Sequence, residues 1–199
     1  CLALPGWVAG RLRAHADGAD AVASLLCNAD PDNRSAAASA LLLHRKRMRH
    51  TPPGDRLQAG LSYDRRVLER LGTFREDLRA GEDSDYKQRL LAVGARIAER
   101  DDVVTAHRYP GAPLELVRDQ WRRGVRQARA RAAVGLHERR RRLPYDTLRS
   151  AWRAVRGAAR VPDPEERRRL LHGWPLVPVA ALAYACGALA ALVGDAARG

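Results

Sequence analysis

Gly81-Glu82-Asp83-Ser84-Asp85 is the stretch that orders the rest of this chain. Two adjacent carboxylates, Glu82 and Asp83, stand at the head of a segment, 84–93, that reads as a helix. Its Tyr86, Leu90 and Val93 fall at i, i+4 and i+7 and so share one face. Gly94 follows, where a left-handed residue ends a helix at little cost. Carboxylates at a helix N-terminus are favoured by the macrodipole and by unpaired backbone N–H groups. Capping alone therefore accounts for the pair. The flanking sequence adds a second reading.

Immediately upstream, residues 57–63 read as a strand. Asp64 is positioned to cap a short helix carrying Val67, Leu68 and Leu71, which Gly72 closes, and residues 74–80 form a loop into the carboxylate pair. Downstream, 95–98 and 103–106 read as two short strands around the polar turn 99–102, with His107 ending the second. Nearer the N-terminus, Pro5-Gly6-Trp7 opens a helix to about residue 16, 21–27 is an apolar run of strand length, and 35–48 reads as a helix with a basic end. Thr51-Pro52-Pro53-Gly54 and Pro110-Gly111-Ala112-Pro113 are chain breaks.

Residues 114–136 read as a long amphipathic helix with Val117, Trp121, Val125, Ala128 and Ala132 in one stripe. A basic run, 138–142, ends at Leu143-Pro144; a further helix covers 145–161, and Pro162-Asp163-Pro164 is a linker. From 173 to 194 no residue is charged, which is long enough to cross a bilayer. Arg167-Arg168-Arg169 and Trp174 beside it look like interfacial anchors. The alanine, glycine and two prolines in this segment equally suit an apolar helix packed on protein.

The net charge is +13, which raises nucleic acid as a partner. Nearly all of the basic residues are arginine, however, with only Lys46 and Lys87 as lysines. Together with the abundant alanine this points to GC-rich codon usage. The charge concentrates at 118–142, 45–49 and 167–169, beside the apolar tail, which fits an anionic membrane or substrate as well as DNA. No helix-turn-helix, zinc-finger or aromatic RNA-binding signature accompanies it, so nucleic acid is not the expected partner. Cys1, Cys27 and Cys186 form no metal or redox spacing and suit a reducing, cytoplasmic compartment.

Taken together, Tyr63-Asp64-Arg65-Arg66-Val67-Leu68-Glu69-Arg70-Leu71-Gly72-Thr73-Phe74, then Gly81-Glu82-Asp83-Ser84-Asp85, Gln88-Arg89-Leu90, Gly94 and His107 resemble the C-terminal, acceptor-side half of family-2 glycosyltransferases of the GT-A fold. The composite spans about 58–107. The resemblance implies an α/β fold followed by α-helices. It implies transfer of a sugar from a nucleotide-sugar donor to an acceptor hydroxyl, with inversion. Asp83 would be the general base, and Glu82 would orient the acceptor or tune the base as a like charge.

His107 resembles a histidine that some of these enzymes bring to the metal or diphosphate. Mg²⁺ or Mn²⁺ would be held mainly by an Asp-x-Asp motif in a Rossmann-like half expected upstream of Cys1, this chain being read as a piece of a longer protein. Gln120 and Arg123 loosely resemble the Gln-x-x-Arg-Trp motif of processive members, whose contacts are with acceptor and donor phosphates. Gly124 stands where the tryptophan would be, which argues for a non-processive enzyme. A solvated or membrane-facing basic surface is the plainer account of those arginines.

The expected organisation is therefore 1–113 as the C-terminal part of the GT-A domain, 114–172 as a basic helical extension and 173–199 as an apolar helix at the membrane. The acceptor class stays open among glycans, lipids and natural products. The location expected is the cytoplasm, at the inner face of the cell membrane. The rival reading is a non-catalytic basic module for nucleic acid or anionic membrane, carried by the charge of 118–142.

Overall fold

The computed structural model describes residues 1–49, 51, 59–78, 82–133 and 137–196. In chain order its elements are β1 (Leu2–Ala3), α1 (Trp7–Ala16), β2 (Ala21–Asn28), α2 (Arg34–His44), β3 (Ala59–Tyr63), α3 (Arg65–Leu71), α4 (Glu82–Ala92), β4 (Ile97–His107), α5 (Pro113–Ala133), α6 (His137–Ala158), α7 (Pro164–Leu171) and α8 (Val177–Ala196), with short 3-10 turns at Arg45–Arg47 and Trp174–Leu176. The class is mixed α/β. Two units separate: Cys1–Cys27 with Lys46–His107, and Asn28–Arg45 with Arg108–Gly199. Gly81, Leu57, the break at 52–54 and the end of the expected helix at 134–136 lie outside the described residues.

The first unit is a four-stranded mixed sheet in the order β1-β4-β2-β3. The first six residues of β2 are buried, which is why a mostly apolar run, broken only by the buried Ser24, stands there rather than an alternation. Alternate side chains of a strand point to opposite faces, and Ala21 and Val22 enter different clusters. Ala21 joins Val67, Tyr86 and Leu90 of α3 and α4, while Val22 joins Ala14 of α1 with Ala19. The β2–β3 register shifts between Val22 and Ser24, so β3 carries one extra residue there. Gly60 lies at that irregularity with φ +56°, and a Cβ on it would meet Ser24 Oγ at 2.7 Å.

Asp64 caps α3 by accepting the Arg66 N–H at 2.8 Å, and Gly94 has φ +69° beyond α4. The two short strands expected at 95–98 and 103–106 are one strand, β4. The polar residues between them do not turn because their charges are met across the sheet surface. Asp102 accepts Arg100 at 2.9 and 3.0 Å and Arg13 of α1 at 3.0 Å, and Arg49 donates to the Asp101 carbonyl at 3.0 Å. Hydrogen bonds from Arg100 and Arg13 hold the Asp102 carboxyl down at about 2.

The second unit is helical. α6 runs through Pro144 instead of starting after it. The lost backbone hydrogen bond is outweighed by one continuous buried face, Leu143, Ala151, Ala154 and Ala158, on both sides of the proline. The buried line of α5 runs one residue before the expected stripe over its first turns and joins it at Ala128. Leu116, Gln120, Gly124 and Ala128 are buried, whereas Trp121 is exposed. The reason is a close crossing with α8. A Cβ on Gly124 would sit 2.1 Å from the Tyr184 carbonyl oxygen, and one on Gly187 would sit 2.2 Å from the Trp121 carbonyl oxygen. Each glycine thus receives the backbone of the other helix. A tryptophan at 124, as in the processive motif, is sterically impossible in this packing.

Candidate active site at the first turn of α4

The site is anchored by Tyr86, fully buried one turn into α4. Tyr63 and Phe74 close around it, with ring centroids 5.0 Å and 4.8 Å from Tyr86 and 5.8 Å from each other. This aromatic wedge joins the end of β3, the chain after α3 and the first turn of α4. It explains why Phe74 follows Gly72 so closely in sequence: the chain must turn back at once to reach Tyr86.

Arg89 locks the same corner. Its guanidinium lies 4.5 Å over the Tyr86 ring, donates to the Leu71 and Thr73 carbonyls at 2.9 and 2.8 Å, and pairs with Asp85 at 3.1 Å. Arg75 approaches Asp85 from the other side at 3.9 Å while pairing with Asp77. Asp85 is thus committed to structure. Glu82 and Asp83, in the same first turn, are both exposed. They stand at the N-terminal end of the helix, where carboxylates stabilise it. Asp83 is close enough to the Tyr63 phenol to push its pKa up, adding to the effects of burial and of Tyr86. The Tyr86 hydroxyl is buried with no hydrogen-bond partner among the described residues.

His107 ends β4 in the same unit, half-buried. Among the described residues no three His, Cys, Asp or Glu side chains converge on a point where a metal ion could sit. His107 is accordingly a single candidate ligand, and no chemical step is derived through a metal here. Gln120 and Arg123 belong to the second unit. Gln120 is buried in the α5 packing line and donates to Asp119 at 3.3 Å, while Arg123 pairs with the same carboxylate at 2.7 Å.

Trp7 and Tyr63 serve packing. The Trp7 indole donates to Thr105 Oγ at 2.9 Å and lies under the Arg11 guanidinium at 3.9 Å. Arg11 is the residue that sequence reading missed. It is buried and donates to the Val22 carbonyl at 3.0 Å and to the Gly60 carbonyl, the group that the β3 irregularity turns out of the ladder. Burial pulls its pKa down. His15 is likewise structural: Nδ1 donates to the Ala19 carbonyl at 2.8 Å, so Nε2 accepts from Ser62 Oγ at 2.9 Å.

Compared with family models, with curated proteins and with solved structures, the chain gives no match.

Proposed function

We propose that the first unit is the acceptor side of an inverting, non-processive glycosyltransferase of the GT-A type, with Asp83 as general base. One observation carries this reading. Glu82 and Asp83 are exposed at the start of α4, on a turn fixed by the Tyr63–Phe74–Tyr86 wedge and by the Asp85–Arg89 pair. A rigidly mounted carboxylate beside an aromatic rim is what deprotonating a sugar-like hydroxyl requires. In the reaction, Asp83 takes the acceptor O–H proton as that oxygen bonds to the anomeric carbon. The bond from that carbon to the donor diphosphate breaks, and the diphosphate leaves with the electron pair. Glu82 orients the acceptor. A divalent cation, bound mainly by residues outside this chain, would neutralise the departing diphosphate.

The test is Asp83→Asn in the full-length protein. Turnover falls by about two orders of magnitude or more, while donor binding measured by calorimetry is kept. Near-normal turnover removes Asp83 from the mechanism. Salt-dependent binding of random DNA that Asp83→Asn leaves unchanged, with no sugar transfer by the wild type, would favour the basic-module reading instead.

We also propose that the second unit lies on the inner face of the cell membrane. α8 is long and apolar enough to cross a bilayer, but it packs along α5 at the glycine crossing. Arg118, Arg122, Arg126 and Arg129 on α5 are exposed. Carrying them into hydrocarbon with α8 would cost about 2.5 kcal/mol or more for each arginine at the centre. An interfacial position avoids this. It suits the outward stripe Val179, Leu182, Leu189 and Val193 of α8, and the outer face of α6, where Tyr145, Leu148 and Trp152 are exposed among Arg149, Arg153 and Arg156.

A further inference from the structure

A cleft of about 550 Å³ opens in the second unit where α7 meets the start of α2, and its lining includes Arg34, Arg167, Arg168, His172, Leu171 and Trp174. Among the described residues no carboxylate lines it. Of the acidic residues nearest in sequence to the lining, Asp32 is exposed two residues before Arg34, and Glu165 and Glu166 sit in the first turn of α7, where Asp163 caps the helix and Glu165 is taken by Arg169. Two of the cationic or donor groups in the cleft are fixed by backbone carbonyls and not by acids. Arg167 donates to the Val161 carbonyl at 3.1 Å, and the His172 Nε2–H donates to the Asp32 carbonyl at 2.9 Å. Such bonds orient a side chain without cancelling its charge. Arg34 and Arg168 make no ion pair among the described residues.

The walls are set by packing. Gly173 presses its backbone into the first turns of α2, where a Cβ would lie 2.2 Å from the Ala38 nitrogen and 2.7 Å from the Arg34 carbonyl oxygen. That contact holds the basic end of α7, the Trp174 turn and the start of α2 as one frame. The Trp174 indole is about half exposed (53%) over the cleft, and Leu171 supplies further apolar wall. The N-terminal end of α2 adds the positive end of its dipole.

We propose that this cleft binds a phosphate group carried on an apolar moiety. Arginine forks match phosphate oxygens in pairs, the absence of a lining carboxylate leaves their charge available, and the indole and leucine meet the apolar part. A membrane-lipid headgroup and a free phosphate-bearing solute share this chemistry. The proposal does not depend on sugar transfer by the first unit.

The test uses the full chain and follows tryptophan fluorescence, with Trp174→Phe identifying the signal of the cleft. One arm titrates inorganic pyrophosphate. The other titrates phosphatidylcholine vesicles with and without phosphatidylglycerol. The wild type binds at least one probe, and R34Q/R168Q raises its Kd about tenfold or more with an unchanged circular dichroism spectrum. Loss confined to pyrophosphate identifies a soluble phosphate ligand; loss confined to the anionic vesicles identifies a lipid headgroup. The proposal is overturned if neither probe alters the Trp174 signal, if sodium chloride at matched ionic strength reproduces it, or if the double variant binds both probes as the wild type does.

Discussion

The crossing of α5 and α8 makes a prediction whose sign separates tertiary packing from local propensity. Gly124 lies inside a long helix, where alanine is the better helix former by about 1 kcal/mol. On propensity alone, Gly124→Ala stabilises. The structure reverses this. The new Cβ would stand 2.1 Å from the Tyr184 carbonyl oxygen, 3.0 Å from its carbon and 2.9 Å from the Ala188 nitrogen. All three are backbone atoms, so no side-chain rotation relieves the overlap. α8 must retreat by more than ~1 Å, a gap that forfeits up to about half of the dispersion energy along the seam. That seam includes Ala128, Leu143, Ala188 and Ala191, all buried together. Overpacking of this kind costs typically 1–3 kcal/mol, and the high end applies because backbone moves. After the propensity gain, the net expected is a loss of about 2 kcal/mol. Urea unfolding followed by circular dichroism at constant m measures it. Gly187→Ala meets the Trp121 carbonyl oxygen from the other side, so the double variant costs less than the sum of the two. A Gly124→Ala protein that is more stable by about 1 kcal/mol would refute the crossing.

Four other outcomes follow from the structure. Tyr86→Phe removes a buried hydroxyl that has no partner among the described residues, so urea unfolding shows no loss and a gain of up to about 1 kcal/mol, with the ring packing kept. Arg11→Met strips donors from the Val22 and Gly60 carbonyls and costs about 3 kcal/mol by the same assay, on the scale of charged hydrogen bonds. Asp102 has a depressed folded pKa, about 2. Its contribution is present above the unfolded carboxylate value near 3.9 and is lost as pH falls toward about 2, so Asp102→Asn flattens stability against pH in that window. Its partial exposure keeps the effect small. Finally, Tyr145→Ser with Trp152→Ser shifts the full-length protein from the membrane to the soluble fraction. Surface substitutions are the right probe, because truncation at 173 would strip α5 of the helix it packs on.

Some features were legible because their causes are local. The Asp64 cap, Gly94 after α4 and the Asp85–Arg89 pair each link residues four or fewer apart or answer a single backbone angle. The strand β2 and the long basic helix declared themselves by an apolar run and by helical periodicity. The carboxylate pair of the candidate site was visible for the same reason: it begins a helix.

Other features needed the fold. Arg11 reads as one arginine among many, and only the register shift of β3 turns the Gly60 carbonyl, 49 residues away, toward it. Residues 99–102 look like a turn until Arg13 and Arg49 arrive to balance them within a strand. Gln120 and Gly124 look polar or breaking, yet both line the buried side of α5, because α8, much later in the chain, brings its own Gly187 to the same crossing. Local sequence fixes backbone angles, caps and faces, since those energies are settled within a turn or two. Which polar atom is buried, which glycine is compulsory and where the cationic cleft opens depend on partners distant in sequence, and only the tertiary structure brings them within reach.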